Sequence, residues 1–164
     1  MTEAFDLSYA RLLLSHLVDP LAAVRAMPVE VRPEGSVAVE DLFVGTLHSD
    51  PPAPALDRLQ EVYCATVRFH GGDPTIGPRL RALLRACGLE DVREQTVTNA
   101  METVDDTLFI VQLVRNMRTS ILEAAAATRD QINELEASVE EAARDPETVF
   151  YQARIHQVSG RRPG

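Results

Sequence analysis

Two polar residues near the start of the chain have the chemistry of a small-molecule site. Arg11 and His16 follow a predicted strand, Phe5–Tyr9. An arginine can hold a carboxylate, and a histidine, whose ordinary pKa is near 6.5, can act as a general base. The alternative is that Arg11 pairs with an acidic neighbour and that His16 caps or packs against a local segment. The residues alone leave both interpretations open.

An acidic pair, Glu40 and Asp41, follows a second predicted strand, Ser36–Val39. Open α/β sheets bind their ligands at the carboxyl ends of parallel strands. One of the two carboxyl groups is therefore a candidate catalytic acid or base in a partly buried cleft. The alternative is that both residues cap the loop that follows the strand.

Three further residues are candidate substrate contacts. His48 and His70 flank the helix that is predicted after the second strand, and Tyr63 lies within that helix. The alternative is an ordinary surface position for each histidine and a place in the core for Tyr63. The four histidines of the chain show no metal-ligand spacing such as His-x-x-x-His, so no metal site is predicted.

The elements that must position these residues are indicated by hydrophobic periodicity and by capping residues. Asp19 and Pro20 predict a helix start, Gly88 a helix end, and Thr128 with Gln131 a capping box. The chain should have four strands separated by helices: Phe5–Tyr9, Ser36–Val39, Val92–Val97 and Phe150–Val158. This order predicts an α/β protein in which the first two strands are parallel neighbours.

Composition excludes several classes of function. The 164 residues favour a single domain, 1–164, and the formal net charge of -9 opposes binding to nucleic acid. No apolar run reaches membrane-spanning length, and no signal peptide is recognisable. Cys64 and Cys87 lie far apart, as is typical of reduced thiols, so we expect a cytoplasmic protein.

Four sequence motifs, taken in order, resemble class I S-adenosylmethionine-dependent methyltransferases. AFDLSYARLLLSHLVDP resembles the family's fourth strand and the loop after it, and VRPEGSVAVEDL its fifth strand, with Glu34 where a glycine is usual. GGDPTIGPRLRALLRACGLEDV resembles the approach to the sixth strand, and VFYQARIHQVSGRRP the antiparallel seventh. The resemblance implies a partial Rossmann-like methyltransferase fold of roughly four strands, mostly parallel with the last antiparallel. A helical insert at about 99–146 precedes the last strand.

The resemblance covers only the carboxy-terminal half of the family's domain. The glycine-rich turn and the acidic residue that hold the cofactor in this family have no counterpart in the sequence. We therefore expect no binding of S-adenosylmethionine by the chain alone. Three functions remain open: a repurposed protein, such as a cyclase or isomerase, that binds or transforms a small molecule; half of a small-molecule methyltransferase completed by another chain or an upstream segment; and a non-catalytic partner subunit.

The first predicted strand should be an open sheet edge, because the resemblance leaves it without its usual neighbour. Phe5–Tyr9 carries no lysine, proline or obvious bulge that would protect such an edge, and Leu12, Leu13 and Leu14 follow it closely. We therefore expect a homodimer, which is the commonest closed assembly, or a partner chain that supplies the missing half.

Overall fold

The structure, a computed structural model, describes residues 5–101 and 103–164, without the side chain of Val104. Ala4, which opens the first motif, lies outside this part of the chain. Contacts divide the chain into two compact units. The sheet unit comprises the residues up to Phe43 together with Gly71–Val97 and Arg154–Gly164, and the helical unit comprises Val44–His70 and Thr98–Ala153.

The regular elements alternate between strands and helices. In the described residues they are β1 (Phe5–Arg11), α1 (Pro20–Ala26), β2 (Val31–Phe43), β3 (His48–Asp50), α2 (Pro54–Phe69), α3 (Leu80–Ala86), β4 (Glu90–Val97), β5 (Ala100–Met101), α4 (Val104–Glu123), α5 (Arg129–Arg144), β6 (Val149–Tyr151) and β7 (Arg154–Arg161). No helix among them is both long enough and apolar enough to cross a bilayer.

The sheet unit is built on four strands in the order β1-β2-β7-β4. β1 runs parallel to β2, and β7 runs antiparallel to both β2 and β4. Three strands thus share one direction and the last strand of the chain opposes them. The carboxyl ends of β1, β2 and β4 consequently meet at one edge of the sheet, where Arg11, Asp41 and Thr96 lie.

One face of this sheet is covered by α1, α3 and short 3-10 turns. The side chain of Asp19 accepts a hydrogen bond from the Ala22 N–H at 2.9 Å, and Pro20 begins α1, as the sequence predicts. Gly88 ends the α3 segment with a φ of 76°, the left-handed conformation that favours glycine. The buried residues of this face form one apolar core: Leu14, Val24, Val31, Val37, Val39, Ile76, Leu80, Leu84, Leu89 and Val158.

The other face of the sheet carries polar and half-exposed side chains. Because side chains alternate along a strand, Val37 and Val39 lie on the core face while Ala38 and Glu40 lie on the opposite one. The register continues this second face, called the open face below, across β7, where Glu40 stands opposite Gln157.

The helical unit packs α2, α4 and α5 around a separate apolar core that includes Phe150 and Ile132. Capping boxes begin α4 at Thr103 and α5 at Thr128. A small three-stranded sheet in the order β3-β6-β5 accompanies the helices.

The prediction of an α/β protein is confirmed, and α4 and α5 form the predicted helices before the last strand. The larger sheet has the expected four strands, but the three short strands of the helical unit were not predicted. The predicted strand Phe150–Val158 was wrong as one element, since Gln152 and Ala153 separate β6 from β7. The two pieces belong to different sheets, and hydrophobic periodicity does not reveal such a division.

Candidate functional site

Three polar side chains meet on the open face of the sheet, where β1 and β2 run side by side. Arg11 and Glu40 are register partners, and the Arg11 Nε lies 3.6 Å from the Glu40 Oε2. A hydrogen bond from the Tyr9 hydroxyl to Glu40 raises the pKa of Tyr9 above its ordinary value. Glu40 is thus held between a phenol and a guanidinium, and its side chain is only 18% exposed. This cluster contains two of the predicted site residues, Arg11 and Glu40.

A groove of about 490 Å³ runs across the same face and includes Glu40 in its wall. This volume lies within the range that small-molecule sites in proteins occupy. The wall is formed by β2, β4 and β7, all within the sheet unit. The lining residues whose side chains point to the open face are Ala38, Glu40, Arg93, Gln95, Gln157 and Ser159.

The wall of the groove contains a positively charged side chain. Arg93 has no ion-pair partner among residues 5–101 and 103–164. Its register partner on β7 is Ser159, whose hydroxyl-bearing side chain is exposed. Next to them the Gln95 Nε2 donates to the Gln157 Oε1 at 2.6 Å. A guanidinium, a hydroxyl and two amides suit a small anionic ligand, and a carboxylate above all.

Asp41 lies on the core face of β2 and is fully buried. Its two carboxylate oxygens accept hydrogen bonds from the Ser15 and Leu42 backbone N–H groups, each at 2.9 Å. The bond from Ser15 ties the 3-10 turn Leu14–His16 to the end of β2. The carboxyl group of Asp41 therefore lies on the face opposite that of Glu40. Backbone N–H groups supply its hydrogen bonds.

A buried histidine lies directly opposite Asp41 in the antiparallel ladder. The Nδ1 of His156 is 2.8 Å from the Glu94 Oε1, and no partner is present for its Nε2 in the described residues. The ring packs against Gly77, because a Cβ at that glycine would come within 2.6 Å of the His156 Cδ2. The His156 ring thus packs the turn at Gly77–Arg79 against the sheet, and its Nε2 is buried.

His16 is exposed in the 3-10 turn after β1, in the same unit as Arg11 and Glu40. It does not line the groove, and no contact of its side chain points to a role as a base. Its predicted participation in catalysis stays a prediction.

The three remaining predicted residues belong to the helical unit. The ring of His48 stacks on Tyr151 at 4.7 Å, and its Nδ1 is 3.0 Å from the Thr46 carbonyl oxygen. His70 follows the end of α2 and contacts Phe69 edge to face. Tyr63 is half-buried within α2. These contacts hold the two histidine rings locally, and the roles of all three residues in substrate binding stay predictions.

Sequence reasoning missed four residues of the groove, namely Arg93, Gln95, Gln157 and Ser159. All four occupy alternate positions of their strands, and that alternation is visible in the sequence as a signal for one shared face. Tyr9 was likewise noted only as part of a strand.

No protein-family model matches the chain, and no curated protein matches it. Solved structures do. The YcgJ protein of Bacillus subtilis matches 98% of the chain at a TM-score of 0.52 with 12% identity, over 65% of its own length. Since the identity is low, this likeness shows a shared fold alone.

Two further solved structures have TM-scores below 0.5. Phosphoethanolamine N-methyltransferase 2 of Haemonchus contortus matches 98% of the chain at 0.47 with 13% identity, over 34% of its own length. The [4+2]-cyclase SpnF matches 98% of the chain at 0.45 with 16% identity, over 51% of its own length. The chain therefore spans from about a third to about two thirds of the length of the structures it resembles.

Proposed function

We propose that this chain is a methyltransferase-like α/β protein that binds a small molecule carrying a carboxylate in the groove on the open face of its sheet. The wall of the groove includes Glu40, whose register partner Arg11 ends β1, and open α/β sheets generally bind their ligands near the carboxyl ends of parallel strands. After binding, the ligand would undergo a rearrangement or cyclisation in this groove, as expected of a protein with a methyltransferase-like fold that no longer methylates. The free thiol of Cys87 fits a protein that works in the reducing cytoplasm.

The unpaired Arg93 carries this proposal. An arginine beside strands that also present a serine and two glutamines offers a fork of donors whose geometry matches a carboxylate. Two other arginines of the face are already paired, Arg11 with Glu40 and Arg161 with Glu34 and Asp91, so Arg93 is the group that gains most from an anionic ligand.

The residues present do not fit S-adenosylmethionine in the manner of a nucleotide-binding sheet. Such a site needs a glycine-rich turn directly after a strand, so that the backbone can approach the cofactor. Within 5–101 and 103–164 the glycines with positive φ are Gly71 and Gly88, and each follows a helix. The proposed function does not use S-adenosylmethionine.

A second candidate is half of a small-molecule methyltransferase whose other half lies on another chain or in an upstream segment. The observation in its favour is that the YcgJ match covers only 65% of that protein's length. In such an assembly the open-face groove would hold the acceptor, and the partner would hold S-adenosylmethionine. A non-catalytic subunit, the third possibility, would bind no ligand in the groove.

Titration with benzoate tests the carboxylate site, with neutral benzamide as the matched ligand. In amide NMR spectra of the full chain, benzoate should shift signals from β4 and β7 around Arg93 and Ser159, and benzamide should not. The Arg93→Ala variant should weaken benzoate binding about tenfold, which is roughly 1.4 kcal/mol.

The matched control is Arg81→Ala, which removes an exposed arginine from α3 and so leaves the groove intact. This variant should bind benzoate as the original chain does. Equal shifts from benzoate and benzamide, or equal losses in the two variants, would contradict a carboxylate site at Arg93.

A further inference from the structure

The outer edge of β1 is an exposed apolar strand that pairs on one side only. Among the described residues β1 pairs with β2 alone. Its odd-numbered side chains include Phe5, Leu7 and Tyr9, which are 62%, 53% and 51% exposed. Monomeric proteins normally protect such an edge with charge, proline or a bulge, because an open ladder invites another strand.

Backbone N–H and C=O groups at this edge point outward and can form hydrogen bonds with another strand. The Leu12 N–H donates to the Glu40 carbonyl oxygen at 2.9 Å, so the even-numbered residues of the segment direct their backbone groups towards β2. Because backbone groups alternate in direction along a strand, the N–H and C=O of Leu7 and Tyr9 point to the open edge.

We propose that the occupant of this edge is β1 of a second copy of the chain, paired antiparallel about a twofold axis at Ser8. Ser8 is the midpoint of Phe5–Arg11, so pairing over the full strand is symmetric about it. Leu7 then stands opposite Tyr9 of the other copy, and Arg11 opposite Phe5. A twofold axis normal to the sheet keeps these side chains on the same face, where the apolar pairs bury each other and the guanidinium lies over a ring.

Local charge permits this approach although the whole chain carries a net charge of -9. Each charged residue of β1 is neutralised within its own copy. Asp6 pairs with Arg32 at 2.5 Å and Arg11 pairs with Glu40 at 3.6 Å. Two copies that meet along β1 therefore bring together neutral patches rather than like charges.

The exposed apolar side chains at this edge supply more than half of the area that each partner buries in a standard dimer interface. Leu12 and Leu13, which directly follow β1 in the chain, are 41% and 47% exposed. Five apolar side chains that are each about half exposed offer roughly 500 Å², against about 800 Å² per partner in a standard interface. The seven-residue backbone edge and the stem of Arg11 supply further area. Neither Arg93 nor any other residue of the groove wall belongs to β1, the strand that forms the dimer contact.

Light scattering after gel filtration tests the proposal on the full chain at about 50 μM. The unaltered chain should elute with the mass of a dimer. Leu7→Pro should give a folded monomer, because it removes an N–H that points outward and not one that pairs with β2. The matched control is Phe109→Arg, which changes an equally exposed apolar side chain, 63% exposed, in the helical unit and should leave the dimer intact.

Disulfide trapping tests the same interface without a substitution at Leu7. Across the axis, Ser8 should face Ser8 of the second copy at about 4.5 Å between Cα atoms, which lies within disulfide range. In a Cys87→Ser background, Ser8→Cys should form a covalent dimer on oxidation, and Ser159→Cys on β7 should not. A monomeric chain overturns the proposal. So does a dimer that survives Leu7→Pro without forming the Ser8→Cys crosslink, since its interface lies elsewhere.

Discussion

Glu40 and Asp41 are consecutive residues of β2, yet their carboxyl groups lie on opposite faces of the sheet. Glu40 lies half-buried on the open face with Tyr9 and Arg11, whereas Asp41 is fully buried and accepts two backbone hydrogen bonds. The two neighbouring carboxylates therefore have different surroundings. Glu40 belongs to a polar cluster on the open face, and Asp41 stabilises the fold.

Asp41→Ala should destabilise the protein more than Glu40→Ala does. Loss of the buried carboxylate leaves the Ser15 N–H without an acceptor, at a cost of roughly 1–3 kcal/mol in the free energy of unfolding. Glu40→Ala removes a partly exposed ion pair with Arg11, worth about 0–1 kcal/mol. Urea unfolding measures both values, and Asp41→Asn, which keeps one acceptor oxygen, should fall between them. Equal costs would contradict the assignment.

The phenol of Tyr9 should titrate above its ordinary pKa. The hydrogen bond to Glu40 favours the neutral form, so the contribution of Tyr9 to stability is present below the ordinary pKa and is lost as pH rises through the raised value. Ultraviolet difference spectra against Tyr9→Phe isolate this phenol from Tyr63 and Tyr151. Glu40→Gln should move the titration back towards the ordinary value, and an unchanged titration would show that Glu40 is not the cause.

Gly77→Ala should be destabilising because no space exists for a side chain. The added Cβ would come within 2.6 Å of the His156 Cδ2 and 3.0 Å of the Leu42 carbonyl oxygen, and overpacking of this kind costs about 1–3 kcal/mol. In a double-mutant cycle, the cost of Gly77→Ala should shrink in a His156→Ala background, since the ring is the closer obstacle. Additive costs, measured by thermal unfolding, would place the clash elsewhere.

Calorimetry should detect no binding of S-adenosylmethionine to the isolated chain tighter than about millimolar, which is roughly -4 kcal/mol. The reason is the absence, in the sequence, of a glycine-rich turn after a strand. A micromolar isotherm would contradict this expectation and would favour a methyltransferase site assembled between copies of the chain.

Local signals in the sequence predicted the ends of the helices well. Asp19 with Pro20, Gly88, and Thr128 with Gln131 all act where they were expected to act. Each of these signals works through hydrogen bonds or a φ angle within about four residues, so it does not depend on the rest of the fold.

The candidate site depends on contacts that are distant in the sequence. Gln95 and Gln157 touch across β4 and β7 although 62 residues separate them. Their meeting follows from strand order and register, which many weak apolar contacts decide together and no short motif encodes. For the same reason the sequence grouped Glu40 with Asp41 and left out Arg93.

By itself, the sequence determined the α/β class and the helix caps, because these follow from backbone geometry and hydrogen bonds over a few residues. Glu40 and Asp41 point to different faces because β2 continues through them to Phe43, beyond the predicted strand. Only the tertiary structure decided which of those faces is covered. The core of α1 and α3 covers the side of Val37 and Val39, so Asp41 is buried while Glu40 remains beside the groove with Arg93 within its wall. The physical reason is that covering a face requires helices from distant parts of the chain to bury their apolar sides against it, and that choice is made by the whole core at once.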